Sequence, residues 1–165
     1  MKRRIALAGV TFHRLWEKVF KRHEINLAIK LKQHNAAVMP ILLYRSETCN
    51  STTAMENTLN ACENRWLRWI LHIKYTDRVS NVEVRARTGQ EIAENTVRKR
   101  RMKWYGHIAR LNKERWPSIV QNWKPTGRRP ADRPKQRWMD NIEKQLKRVS
   151  LSLYGNTTGR NRVRI

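Results

Sequence analysis

Apolar positions along this chain recur at helical rather than strand spacing. Leu15 and Val19, then Leu27 and Leu31, sit one turn apart with Lys and Arg between them, and Trp16 and Phe20 widen the same face. This pattern predicts helix over residues 1–34. Val38 to Tyr44 is a short apolar run containing Pro40, and its periodicity leaves a buried strand and a bent helix equally open. The clearest helix is expected over about residues 54–73, where Leu59, Cys62, Trp66, Ile70 (with Trp69) and Ile73 follow at three- and four-residue steps on one face. Thr53-Ala-Met-Glu56 ahead of it has the form of a capping box, in which the threonine oxygen accepts from a backbone N–H and the glutamate reaches back.

A second such box, Ser80-Asn-Val-Glu83, opens a short helix that Gly89 can close in the left-handed conformation. A third pattern runs from Glu91 to Leu111 through Val97, Trp104, Ile108 and Leu111. Gly106 inside it costs roughly 1 kcal/mol against alanine, so close packing or close approach of a ligand is expected there. Pro117, Pro125, Gly127, Pro130 and Pro134 then punctuate the chain, and Lys124 to Gln136 is expected to be extended. Trp138, Ile142 and Leu146 predict a last amphipathic helix over about 136–149, followed by a frayed, disordered tail over 150–165. There is no internal repeat. The fold class expected is mainly α: a small helical bundle over 1–75, then basic helices over 76–149 interrupted by the extended Pro/Arg-rich segment 124–136.

Charge changes this picture. The formal net charge is +23, and residues 98–165 hold 20 of the 36 Lys+Arg against four acids, a balance of +16. Such a field self-repels and needs a polyanion to offset it, in cells usually nucleic acid. Trp104, Trp116, Trp123 and Trp138 lie among these charges, and large aromatics argue for burial or stacking rather than a solvated basic tail. Apolar residues at 39% allow a core, but a modest one. The longest apolar run, Ala36 to Leu43, is far shorter than a membrane span needs, and the first residues run too quickly into His13, Arg14 and Glu17 to read as a signal peptide. Two cysteines make no disulfide framework. The expected setting is nuclear or cytoplasmic, not secreted and not membrane-bound.

Catalytic patterns are sparse. The 13 acids form no Asp-Asp or Asp-x-Asp pair of the kind that gathers two metal ions, and there is no glycine-rich phosphate loop or Gly-x-Ser-x-Gly elbow. Cys49, Cys62, His72 and His107 are spaced too irregularly for a zinc finger or knuckle, so no metal site is expected. Two binding elements stand out. On a helix from Arg98 to Arg110, the residues Arg100, Lys103, His107 and Arg110 form one polar stripe, with Arg98, Lys99 and Arg101 adding charge; Trp104 belongs to the opposite, apolar stripe. Gly127 to Trp138 carries Arg128, Arg129, Arg133, Lys135 and Arg137 on a proline-stiffened backbone suited to phosphates or a minor groove. It is partly similar to an AT-hook, but the Arg-Gly-Arg-Pro core is not intact. Trp66, Trp104 and Trp138 are expected to anchor the helices.

Five blocks in order resemble the C-terminal region of reverse transcriptases encoded by non-LTR retrotransposons. Ile41-Leu-Leu-Tyr-Arg-Ser-Glu-Thr-Cys49 resembles "LLYGSETW", and Cys62 to Ile73 resembles "MRCLRRILGI". Asp77 to Gly89 resembles "DRVTNEEVLRRTG", Arg98 to Arg110 resembles "RRRLRWLGHVLR", and Gly127 to Trp138 resembles "GKRxxGRPxxRW". The resemblance implies a thumb and post-thumb segment of an RNA-directed DNA polymerase, one that grips an RNA–DNA hybrid or duplex DNA. In that family Mg²⁺ is held by a Tyr/Phe-x-Asp-Asp palm motif, and an endonuclease nicks the target. Neither residue set matches here, so no catalytic residue and no cofactor carry over, and a palm would have to act in trans. Arg45 stands where the block has glycine, Cys49 where it has tryptophan, and Asp132 where it has the glycine of Gly-Arg-Pro. These changes and the missing palm imply a truncated copy of an element, with Met1 an internal methionine. An AT-hook-like DNA-binding adaptor and a non-functional remnant are the alternative readings.

Overall fold

The computed structural model describes residues 2–123 and 137–158, apart from the side chains of 122 and 149–158. Among the described residues every regular element is helical, as the apolar spacing requires, and none is a strand. Helix α1 (Lys2–Leu15) passes into a π-helical turn at Trp16–Phe20. The single helix expected over 1–34 is broken before α2 (Leu27–Gln33), because Asn26 caps the new helix with its side-chain oxygen accepting from the N–H of Ala28 at 3.0 Å. α2 runs on through a second π turn, His34–Val38, into α3 (Met39–Leu42). The Val38–Tyr44 ambiguity thus resolves as bent helix. Pro40 sits in the first turn of α3, where its missing N–H is tolerated, and the turn ahead of it is widened.

Helix α4 (Thr53–Ile70) is capped by Thr52, not Thr53: its hydroxyl accepts from the N–H of Met55 at 3.4 Å. Glu56 accepts from the hydroxyl of Ser51 at 2.6 Å. α4 ends three residues early, ahead of a left-handed His72 (φ 56°), with the N–H of Ile73 donating to Arg68 O and that of His72 to Trp69 O. A 3₁₀ turn at Tyr75–Asp77 leads to α5 (Asn81–Thr88). Ser80 caps α5 by accepting from the N–H of Glu83, and Gly89 closes it at φ 63°. Helices α6 (Ala93–Ala109), α7 (Trp116–Asn122) and α8 (Trp138–Thr158) follow. α8 continues past residue 149, where it was expected to end. The extended segment expected over 124–136 lies outside the described residues, as do 159–165.

The chain forms two compact units: residues 1–46 with 51–97, and residues 47–50 with 98–165. The boundary expected near residue 75 lies within the first unit. That unit holds one core. Phe12 is fully buried and stacks on Phe20 (4.6 Å, 14°) and on Trp66 (5.6 Å, 13°). Leu31, Val38, Leu42, Leu43, Leu59, Leu67 and Ile70 surround these rings, and Val84, Ala93 and Val97 bring α5 and α6 into the same cluster. In the second unit the fully buried Ile142 lies on α8. Trp138 is half-buried, and its indole N–H donates to Glu47 O at 2.7 Å; beside it Asn141 meets Asn50 at 2.5 Å.

Candidate nucleic-acid interface

α6 carries most of the described candidate residues, and its start is fixed by charge. Glu63 of α4 is almost completely buried, and one of its carboxylate oxygens accepts from the N–H of Ala93 at 3.1 Å and from Arg85 Nη2 of α5 at 2.8 Å. A carboxylate facing the first free N–H groups of a helix complements its positive end. Burial pushes the Glu63 carboxyl up, and Arg85 and the Ala93 N–H pull it back. Asn60 adds a second tie, accepting from the N–H of Glu94 at 3.2 Å.

From this anchored start the helix sorts its side chains. Val97 and Ile108 are buried, and Trp104 and Leu111 are half-buried. Lys99, Arg100, Lys103, His107 and Arg110 are exposed, and Arg98 is half-buried. Arg101 departs from expectation: its side chain is only 1% exposed, so in this conformation it presents no surface to a ligand. The reason is angular. Four residues after Val97 and seven before Ile108, position 101 falls on the inward face of a 3.6-residue helix. Trp104 stacks on His107 (5.5 Å, 28°), which couples the half-buried face to the polar stripe. Gly106 is not a point of close packing: a Cβ there would meet only the flexible end of Arg110, at 3.4 Å.

The second binding element is only partly on view. Arg128, Arg129, Arg133 and Lys135 lie outside the described residues. Arg137 is exposed, and its backbone N–H donates to the Asp140 carboxylate at 2.6 Å as α8 begins. Sequence reasoning missed α7, reading Pro117 only as a break. Proline is well suited to the first turn of a helix, and Trp116, Ile119, Val120 and Trp123 have the spacing of one helical face. Within α7 that face is open, with Trp116 77% exposed and Ile119 and Val120 exposed; Trp123, just past the helix on extended backbone, is 67% exposed, and the exposed Lys113 and Arg115 lie nearby in sequence.

No helix among the described residues is long and apolar enough to cross a membrane. No family model matches the chain, and no solved structure matches it. An uncharacterized transposon-derived protein of Caenorhabditis elegans is 25% identical over 123 residues, 72% of this chain and 44% of that protein. The chain therefore spans under half the length of the curated relative it matches. The likeness supports a transposon origin.

Proposed function

We propose that the chain is a thumb and post-thumb fragment of a non-LTR retrotransposon reverse transcriptase that binds nucleic acid without doing chemistry of its own. The five ordered blocks support the family, and the transposon-derived relative agrees with it. The observation that carries the binding is the exposed stripe Arg100, Lys103 and His107 on α6, with Arg110 just past its end, opposite the buried Val97, Arg101 and Ile108. Cations on a preformed helix meet successive phosphates without first ordering the backbone, and the +16 balance of residues 98–165 draws a polyanion to them. The exposed Trp116 and Trp123 offer faces on which unpaired bases stack.

Binding to an RNA–DNA hybrid, duplex DNA and single strands across a salt series tests this reading. Replacing Arg100, Lys103 and Arg110 together by alanine should weaken binding to each. On B-DNA it should also shallow the log–log salt slope by roughly 0.9 for every phosphate that is no longer neutralised. An unchanged slope in that variant would remove α6 from the interface.

A further inference from the structure

A separate constellation lies within the first unit, away from the basic helix face in sequence and unused by the function proposed above. His13 of α1, Trp16 of the π turn and Trp69 of α4 line a cavity of about 210 Å³. Their rings are angled rather than stacked flat: Trp16 to Trp69 is 6.2 Å at 66°, and His13 to Trp69 is 5.7 Å at 53°. Trp16 also approaches His72, at 6.3 Å. There the character changes from aromatic to cationic. His72 stacks on His23 (4.5 Å, 27°), and its Nε2 lies 3.4 Å from Nζ of Lys30.

Three nitrogen bases from three parts of the chain thus converge. Lys30 is only 4% exposed. An ammonium has donors only, so His72 Nε2 must serve as acceptor, which leaves His72 neutral with its proton on Nδ1. These groups meet one another and aromatic rings; among the described residues no carboxylate oxygen bonds to any of the three. His72 and His23 are exposed, and an ammonium whose partner is a neutral imidazole keeps further donors to offer an anion at that opening. Burial holds both Lys30 and His72 below their ordinary values, and for His72 the Lys30 and His23 charges add to that. His72 also occupies the left-handed region at φ 56°, where a residue other than glycine is disfavoured.

We propose that this cleft binds a nucleotide unit, with the base against Trp16 and Trp69 and the phosphate on Lys30, His72 and His23. A phosphate supplies further acceptors for the Lys30 ammonium and accepts from the Nδ1–H of His72 and from the ring N–H of His23. The adjoining indoles supply the apolar and π surface on which a base gains stacking energy. Neither half alone makes the assignment. The cations would take any anion and the rings any flat apolar group, whereas side by side they match a ligand with both. The nucleotide is either free or one unit of a strand. The inference does not depend on α6, and either can fail alone.

The chain's five histidines make the test direct. Imidazole resonances of the full-length, isotope-labelled protein would be followed while adenosine monophosphate, inorganic phosphate or a short oligoadenylate is added. His23 and His72 report this cleft, and His107 reports α6. Adenosine monophosphate should shift His23 and His72 to saturation and leave His107 in place, and phosphate alone should bind more weakly. Tighter binding of the monophosphate than of the oligomer would assign a free nucleotide, and the reverse a strand. His72→Gly removes the imidazole at a left-handed position that glycine prefers, so the fold is retained, and it should weaken adenosine monophosphate about tenfold or more, as should Lys30→Met. The assignment fails if the monophosphate moves only His107 or no histidine. It fails equally if phosphate binds as well as the nucleotide, or if His72→Gly and Lys30→Met bind as tightly as the parent chain.

Discussion

His34 gives the most quantitative prediction. It sits in the second π turn, fully buried, with its ring 6.4 Å from Phe12 and 6.2 Å from Trp66. Neither ring nitrogen has a hydrogen-bond partner within normal geometry. Burial lowers its pKa from 6.5 to about 4, and the neighbouring Asn35 side chain only partly opposes this. In the unfolded chain the same imidazole protonates at its ordinary value. As pH falls through 6.5 the unfolded state therefore takes up a proton that the folded state refuses until about 4. The His34 contribution is fully present above the unfolded value and is lost across that window. The depression corresponds to about 3 kcal/mol, a large share of a small domain's stability. Urea denaturation followed by tryptophan fluorescence, repeated from pH about 8 to about 4, measures it. His34→Leu removes the titrating group and keeps an apolar filler of similar size. Relative to the parent chain it should gain about 3 kcal/mol between the two ends of the range, and at neutral pH it should be no less stable, since two unbonded nitrogens are gone. The carboxylates and remaining histidines titrate alike in both proteins, so the difference isolates His34. Equal pH dependence in the two would refute the reasoning.

Three further outcomes follow from single positions. Arg45 is held at φ 52° where the resembled block has glycine; Arg45→Gly should raise stability by about 1 kcal/mol by relieving a left-handed non-glycine residue, seen as a higher urea midpoint. Gly106→Ala should stabilise α6 by about 1 kcal/mol, because the added methyl meets only the mobile end of Arg110; a lower midpoint would mean that the backbone needs glycine there. Glu63→Gln leaves the half-buried Arg85 without its counter-charge and should cost about 3 kcal/mol. It should also speed amide exchange at Ala93 and Glu94, and joint replacement of Glu63 and Arg85 by apolar residues should recover much of the loss.

Helix existence was legible from long-range apolar periodicity for α4 and α6 and from the Ser80 box and Gly89 for α5, and these helices fall close to where they were expected. Details decided by one side chain were not. Thr52 and Thr53 are chemically alike, and only the path of the chain chooses which hydroxyl meets the N–H of Met55. The break before α2 was written in Asn26, but the apolar face continues across it and outweighed the cap. Arg101 shows the limit for the candidate site. A run of basic residues reads as one feature in sequence, yet a helix divides it by angle, and one arginine of Arg98 to Arg101 turns inward. The Lys30, His23 and His72 group was invisible for a different reason: His72 is 42 residues from Lys30 and reaches it and His23 only through packing. The left-handed His72 that places one of them looks in sequence like an ordinary residue near a helix end.

The start of α6 bears on whether its charges act as a surface or only as a polymer. A helix this rich in cations repels itself, and interior charge pairs contribute only tenths of a kcal/mol each. Its N-terminal turn, however, belongs to the first unit: Ala93 and Val97 are in the core, and Glu63 and Asn60 hold the first N–H groups. Helix propagation from a fixed nucleus is far easier than nucleation. The anchored turn therefore supports the basic turns that follow, and the register of Arg100, Lys103, His107 and Arg110 depends on a carboxylate that touches none of them. Glu63→Gln then has a second consequence. If the stripe binds as a folded surface, that substitution should reduce any preference among hybrid, duplex and single strand while leaving the chain's net charge on α6 and its steep salt dependence intact. If the chain binds only as a polycation, destabilising the start of α6 will change neither.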